Sequence, residues 1–138
     1  SIIWVWNSRN EGNVKINAHF PITITEKLSE CKDFYAKYFD FAPVFEADWY
    51  IHMANKTGTQ LAFMKPNLNN QPSFLHTAYN GEGIVYSFEV ADAAAEFAEL
   101  QKTDIKILLN LKDEEWGQRH FIVQDPAGVH IDIVQQLS

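Results

Sequence analysis

A chain of 138 residues supports one domain with a substantial core and is too short for two ordinary ones. Its composition, 46% hydrophobic and 21% charged, is that of a globular protein, and no apolar run approaches the roughly 20 residues that span a bilayer, so no membrane partner is expected. Eleven basic residues against eighteen acidic ones leave a formal charge of −7 without a Lys/Arg patch; nucleic acid is therefore not expected as a partner, and the acidity serves solubility or draws cationic ligands.

Residues 1–13, SIIWVWNSRNEGN, lack a basic n-region and an A-x-A-like cleavage site, so no export is indicated. Their IIWVW run, followed by turn-forming residues, reads as an extra edge strand, a partner-binding arm or vector-derived sequence. The single cysteine, Cys31, excludes an intramolecular disulfide and a cysteine-cluster metal site, which suits a reducing compartment, and the cytoplasm is the expected location. Its place on the apolar face of a helix reads as packing rather than as a nucleophile.

One domain is expected over 14–138. Ile22 and Ile24 alternate with Thr23 and Thr25 as in a half-buried strand. Over Lys27 to Phe39 the residues Leu28, Cys31, Phe34, Tyr35 and Tyr38 recur at three- and four-residue steps, predicting an amphipathic helix that Pro43 prevents from continuing. Three strand-like runs follow, PVFEA, DWYIHMA and TQLAFMK, the last two separated by the turn signal NKTG. The segment 67–82 is rich in Asn, Pro and Gly and reads as an exposed linker or lid. The pattern then restarts: IVYSFEV as a strand, Asp92 as N-cap, AAAEFAELQK as a helix, and the runs IKILLNL, GQRHFIV and GVHIDIVQQ as strands, with QDPAG as the last turn.

The repeat, of about 65 residues, divides the domain into module 1 at about 15–66 and module 2 at about 83–136. Each module alone leaves half its sheet surface uncovered, so two copies are expected to share a core. Leu61 falls on Ile131 and Phe63 on Ile133 in apolar register, and Trp49 and Trp116 open comparable strands. Ala62 then stands where Asp132 stands, so the halves are chemically unequal.

The segments HFPITIT, FYAKYFDF and GQRHFIVQDPAGVHIDIV together resemble the vicinal oxygen chelate superfamily, which includes glyoxalase I, extradiol dioxygenases, fosfomycin-resistance enzymes and bleomycin-resistance proteins. The likeness runs from about residue 15 to 136. The last segment is its most specific carrier, following the family pattern G-x-R-x-F-x-x-x-D-P-x-G and then a strand with an acidic residue. The resemblance implies an α+β fold of two βαβββ modules whose mixed sheets curl around a shared cleft. It does not fix a function, because this scaffold serves several chemistries and pure binding.

For metal-dependent members the resemblance implies ligands from a module's first strand and from a carboxylate of the last strand, here His19 and Asp132. The remaining places fall on Val85, or its neighbours Ile84 and Tyr86, and on Ala62, none a good divalent-metal ligand. Catalytic sites usually need three protein donors. His130, two residues from Asp132 on the same strand face, and His120 are the candidate substitutes. A simple hairpin, in which facing residue numbers sum to about 252, sets His120 opposite Asp132, either as an acid/base couple or as a satisfied polar pair on a sheet. No G-x-S-x-G, phosphate loop or H-E-x-x-H is present.

Alternation sends Val129, Ile131 and Ile133 toward the helix and His130, Asp132 and Val134 toward the cleft, with Trp116, Gln118, His120 and Ile122 on the neighbouring strand. If Trp49 corresponds to Trp116, then Trp49, Ile51 and Met53 form the opposite wall. Trp49, Trp116, Gln118, His120, His130 and Asp132 are thus the expected ligand-binding set, suited to a flat aromatic or cationic guest; the tryptophans read equally as core or interface residues. The expected function is sequestration of a small hydrophobic or cationic aromatic molecule of the bleomycin-resistance type, without metal or cofactor. Whether the chain is an enzyme stays open, the alternative being a divalent-metal-dependent lyase, isomerase or dioxygenase-like protein using His19 and Asp132. A regulatory or interaction module using the IIWVW arm is a third class. A homodimer, with the cleft within one chain or across two, is what the resemblance implies.

Overall fold

The computed structural model describes residues 12–138, so the expectations for IIWVW lie outside the described residues. The element order is β1 (Ile22–Ile24), α1 (Leu28–Phe39), β2 (Ala42–Glu46), β3 (Tyr50–Ala54), β4 (Gln60–Met64), a single 3-10 turn (Ser73–Leu75), β5 (Val85–Glu89), α2 (Ala93–Gln101), β6 (Ile107–Glu114), β7 (Gln118–Gln124) and β8 (His130–Gln136). Among the described residues no helix is long and apolar enough to cross a membrane.

Local chemistry sets most boundaries. Helix α1 buries Leu28, Cys31 and Tyr35 and stops at Asp40, which takes the left-handed conformation (φ 57°, ψ 33°) and donates its N–H to the Tyr35 carbonyl. The helix is therefore over before Pro43. That proline falls instead in β2, an exposed edge strand with a bulge between Pro43 and Phe45, where a missing N–H is tolerated. Helix α2 is capped by the Asp92 carboxylate, which accepts from the Ala95 N–H at 3.1 Å. The linker is anchored at Tyr79, whose N–H donates to the Ile24 carbonyl at 2.9 Å.

Two four-stranded mixed sheets result, ordered β1-β4-β3-β2 and β5-β8-β7-β6. Their registers correspond: Ala62 lies beside Ile22 and opposite His52, as Asp132 lies beside Ser87 and opposite Ile122. One face of each sheet carries a helix. Ile51, Met53, Leu61 and Phe63 pack there in module 1, Phe121, Val123, Ile131 and Ile133 in module 2, as one continuous core. Ile51 and Met53, expected on a cleft wall, are core residues at 5% and 0% exposure.

The modules are fastened through α1. Tyr35 is fully buried between Phe63 of sheet 1 and Asp125, to which its hydroxyl donates at 2.6 Å. Asp125 is the acidic residue of D-P-x-G. Its other oxygen accepts the Ala127 and Val129 N–H groups at 2.8 and 2.9 Å, closing the β7–β8 turn. Burial pushes this carboxyl above the ordinary aspartate value, against the opposing pull of the Tyr35 hydroxyl and the turn amides. Because the turn centres on Ala127, the pairing is shifted from the expected one: His120 faces Val134, and Asp132 faces Ile122. Cys31, at 0% exposure, is a packing residue whose thiol burial pushes well above its ordinary pKa.

Candidate functional site

The face of each sheet turned away from its helix is the open face. In module 2 it carries Val85, Ser87 and Glu89 of β5, His130, Asp132 and Val134 of β8, and Gln118, His120 and Ile122 of β7. The altered register leaves His120 diagonal to Asp132 on this face, still within reach. The His120 Nδ1 lies 2.7 Å from Asp132 Oδ1, and its Nε2 lies 2.9 Å from Glu114 Oε2 on β6. Lys112 approaches the other Glu114 oxygen at 3.4 Å. His120 is only 7% exposed, so one imidazole is clamped between two carboxylates across three strands.

Opposing effects act on that ring. Burial pulls its pKa down, but the bonds to Glu114 and Asp132 outweigh it, and the net shift is upward. The reciprocal bond from His120 holds Glu114 below the ordinary glutamate range, with help from Lys112. The clamp therefore favours imidazolium, both N–H groups donating. In that form His120 has no lone pair for a metal and no acceptor for a substrate proton. Glu114 was not anticipated from the sequence, because β6 continues past the apolar run IKILLNL to Glu114, which then sits diagonal to His120 beside the β6–β7 turn.

The other expected residues are scattered around this clamp. Trp116 precedes β7 at 67% exposure and donates its indole N–H to Gln118 Oε1 at 2.9 Å. Gln118 donates to Gln136 at 3.3 Å and Gln136 to Glu89 at 3.2 Å, a polar chain along the open face. His130 is half-buried beside Val85. Val134, expected on this face, is 5% exposed.

Module 1 differs. By register Tyr50 corresponds to His120, His52 to Ile122 and Ala62 to Asp132, while Trp49 corresponds to Arg119 rather than to Trp116. Trp49 precedes β3 and packs its ring 5.3 Å from that of Tyr50; among the described residues no ring contact joins Trp49 to Trp116. The open face instead carries a chain without carboxylates, in which His52 shares hydrogen bonds with the Tyr50 hydroxyl at 2.9 Å and Gln60 Oε1 at 2.7 Å, with Phe20 edge-on at 4.5 Å. Pairing the tryptophans put the strand one residue out of phase and hid Tyr50 and His52. The burial of Ile51 and Met53 is the signal that sets the phase.

The donor set does not fit a divalent ion. Asp132 is flanked by Ser87 and Ile122, its counterpart Ala62 by Ile22 and His52, and one Asp132 oxygen is held by His120. His19 is exposed and borders a separate recess of about 360 Å³ with Pro21, Gln60 and Tyr86. Among the described residues no three His, Cys, Asp or Glu side chains converge as a metal site, and His130 and His120 do not complete one with Asp132.

Comparison with known proteins gives a consistent picture of the scaffold. A glyoxalase-like domain model matches residues 18–138. No curated protein matches the sequence. Among solved structures, a glyoxalase/bleomycin resistance protein/dioxygenase from Nocardioides is 15% identical, with a TM-score of 0.76 over 93% of this chain and 89% of that one. A lactoylglutathione lyase from Agrobacterium tumefaciens is 15% identical, with a TM-score of 0.69 over 88% and 95%. An antibiotic binding protein from a Streptomyces species is 19% identical, with a TM-score of 0.66 over 90% and 98%. At these identities the likeness is one of fold.

Proposed function

This chain belongs to the glyoxalase-like domain family of the vicinal oxygen chelate superfamily, and from that premise we propose that it binds a small hydrophobic or cationic aromatic molecule on its open sheet faces without transforming it. The observation that carries the reading is the commitment of Asp132. It is the single carboxylate at the two register-equivalent places, and one of its oxygens is engaged by the His120 ring at 2.7 Å. What the open faces offer instead is surface for stacking and hydrogen bonding: the Trp116 indole, the Tyr50–His52–Gln60 chain, and the glutamines beside Trp116. The Streptomyces neighbour, an antibiotic binding protein on the same fold, supports the reading.

A second copy of the chain is part of the proposal. Module 1 exposes Phe20 (37%), Ile22 (43%), Val44 (64%) and Phe45 (52%), apolar surface that a partner would cover. Sedimentation should then report a dimer, and a Phe45→Glu variant should be monomeric.

The binding reading is tested by fluorescence titration with a planar aromatic cation such as acridine orange. Saturable quenching is expected, weakened about two- to fivefold in Trp116→Ala, the loss of one exposed cation–π or stacking contact. Quenching that is identical in Trp116→Ala, or one tightly bound nickel, zinc, manganese or iron per chain, overturns it.

A further inference from the structure

A cavity of about 670 Å³ lies where the end of α1, the β3–β4 turn, the outer edge of β5 and the exposed side of α2 converge, and it reaches Ser87 and Glu89 at the edge of the module 2 open face. Its volume is in the range of small-molecule sites, roughly 300–1,000 Å³. The wall is aromatic. Phe88 meets Phe39 edge-on at 5.3 Å and stacks on Phe41 at 6.3 Å. Phe41 is buried, whereas Phe39 and Phe88 keep part of their surface uncovered.

The rim is acidic. Asp40, Glu89, Glu96 and Glu99 line the cavity against a single base, Lys37. Asp40 has Lys56 at 3.8 Å, Glu99 has Lys102 at 3.0 Å, and Lys37 is drawn outward to Asp104 at 3.9 Å. Glu96 and Glu89 have no cationic partner among the described residues, although Glu89 accepts from Gln136. Two uncompensated carboxylates therefore border a phenyl surface. The same gap is edged by β5, which is bonded only to β8, so main-chain acceptors along its outer edge are open to a donor.

An anion is repelled by this rim, and a neutral hydrocarbon leaves the two carboxylates unused. A protonated amine on an aromatic body satisfies both features, its ring against Phe88 and Phe39 and its ammonium beside Glu96 and Glu89. We propose that this inter-module cavity is a binding site for an aryl-alkyl ammonium ligand, built from Phe39, Phe88, Glu89 and Glu96, of which Glu89 is shared with the open face of module 2.

The test uses the full chain and two probes of similar shape, phenethylammonium and 2-phenylethanol, titrated while amide shifts are followed by 1H–15N NMR. The ammonium probe should shift the amides of Phe39, Phe88, Glu96 and Leu100 and bind about three- to tenfold more tightly than the alcohol. In Glu89→Gln/Glu96→Gln, a pair of exposed changes whose unligated spectrum reports folding, that preference should fall to about one while the alcohol's affinity is unchanged. Equal affinity for the two probes in the unaltered chain overturns the proposal, as does a preference that survives the double variant. Shifts confined to Trp116, Gln118 and their neighbours overturn it as well, while leaving the open-face reading intact.

Discussion

The two open faces share a scaffold and a register but not a chemistry. In module 1 a histidine sits between a phenol hydroxyl and a carboxamide, and the position opposite it is Ala62, fully buried. In module 2 a histidine sits between two carboxylates, one of them Asp132, the counterpart of Ala62. The contrast teaches that two register-equivalent places of one fold can carry different chemistry. The neighbours of a carboxylate decide whether its lone pairs are available, and here the cross-strand His120 ring occupies one oxygen.

The comparison breaks most severely if the carboxylate is moved. Ala62→Asp places a charge where exposure is 0% and where the only polar neighbour across the strand, His52, already has two partners. A loss of about 3 kcal/mol or more in urea unfolding is expected. Next come the two histidines. His120→Phe leaves Asp132 and Glu114 without their shared donor and should cost about 2 kcal/mol, whereas His52→Phe, which separates only neutral partners, should cost about 1 kcal/mol or less. Equal costs would contradict the distinction between carboxylate and uncharged partners.

The pH response sharpens the same contrast. The folded-state pKa of His120 is raised by Glu114 and Asp132 against the lowering effect of burial. Its stabilising contribution is thus fully present below the unfolded value of about 6.5 and is lost as pH rises through the higher folded value. The melting temperature should therefore fall over that interval, and His120→Phe should remove the fall. The smallest effect belongs to Trp116→Ala: at 67% exposure, the change should leave stability within about 0.5 kcal/mol while weakening an aromatic ligand on the open face.

Much of this architecture was legible because it rests on local periodicity. Leu28, Cys31 and Tyr35 mark α1 by their spacing, Asp92 marks the start of α2, and the repeated strand order specifies two modules. What was not legible depends on register and phase. The turn around Ala127 shifts the β7–β8 pairing, so His120 meets Asp132 diagonally, and the polar extension of β6 beyond its apolar run brings in Glu114. Alternation cannot say which of two phases a short apolar run adopts; in YIHMA the core claimed Ile51 and Met53 and left Tyr50 and His52 on the open face. The acidic residue of D-P-x-G could be read as motif but not as mechanism. Its partner, Tyr35, lies ninety residues away in sequence.

The state of one ring separates a binding face from a metal site, and long-range 1H–15N NMR of the His120 side chain at pH 6.5, with and without one equivalent of zinc, reads it most directly. At a pH where an ordinary histidine is about half charged, His120 should be mostly imidazolium with both nitrogens protonated, and zinc should leave its signals unmoved. A neutral ring with a free nitrogen, or one whose nitrogen shift moves to a metal-bound value when zinc is added, would contradict the clamp and return Asp132 to service as a ligand.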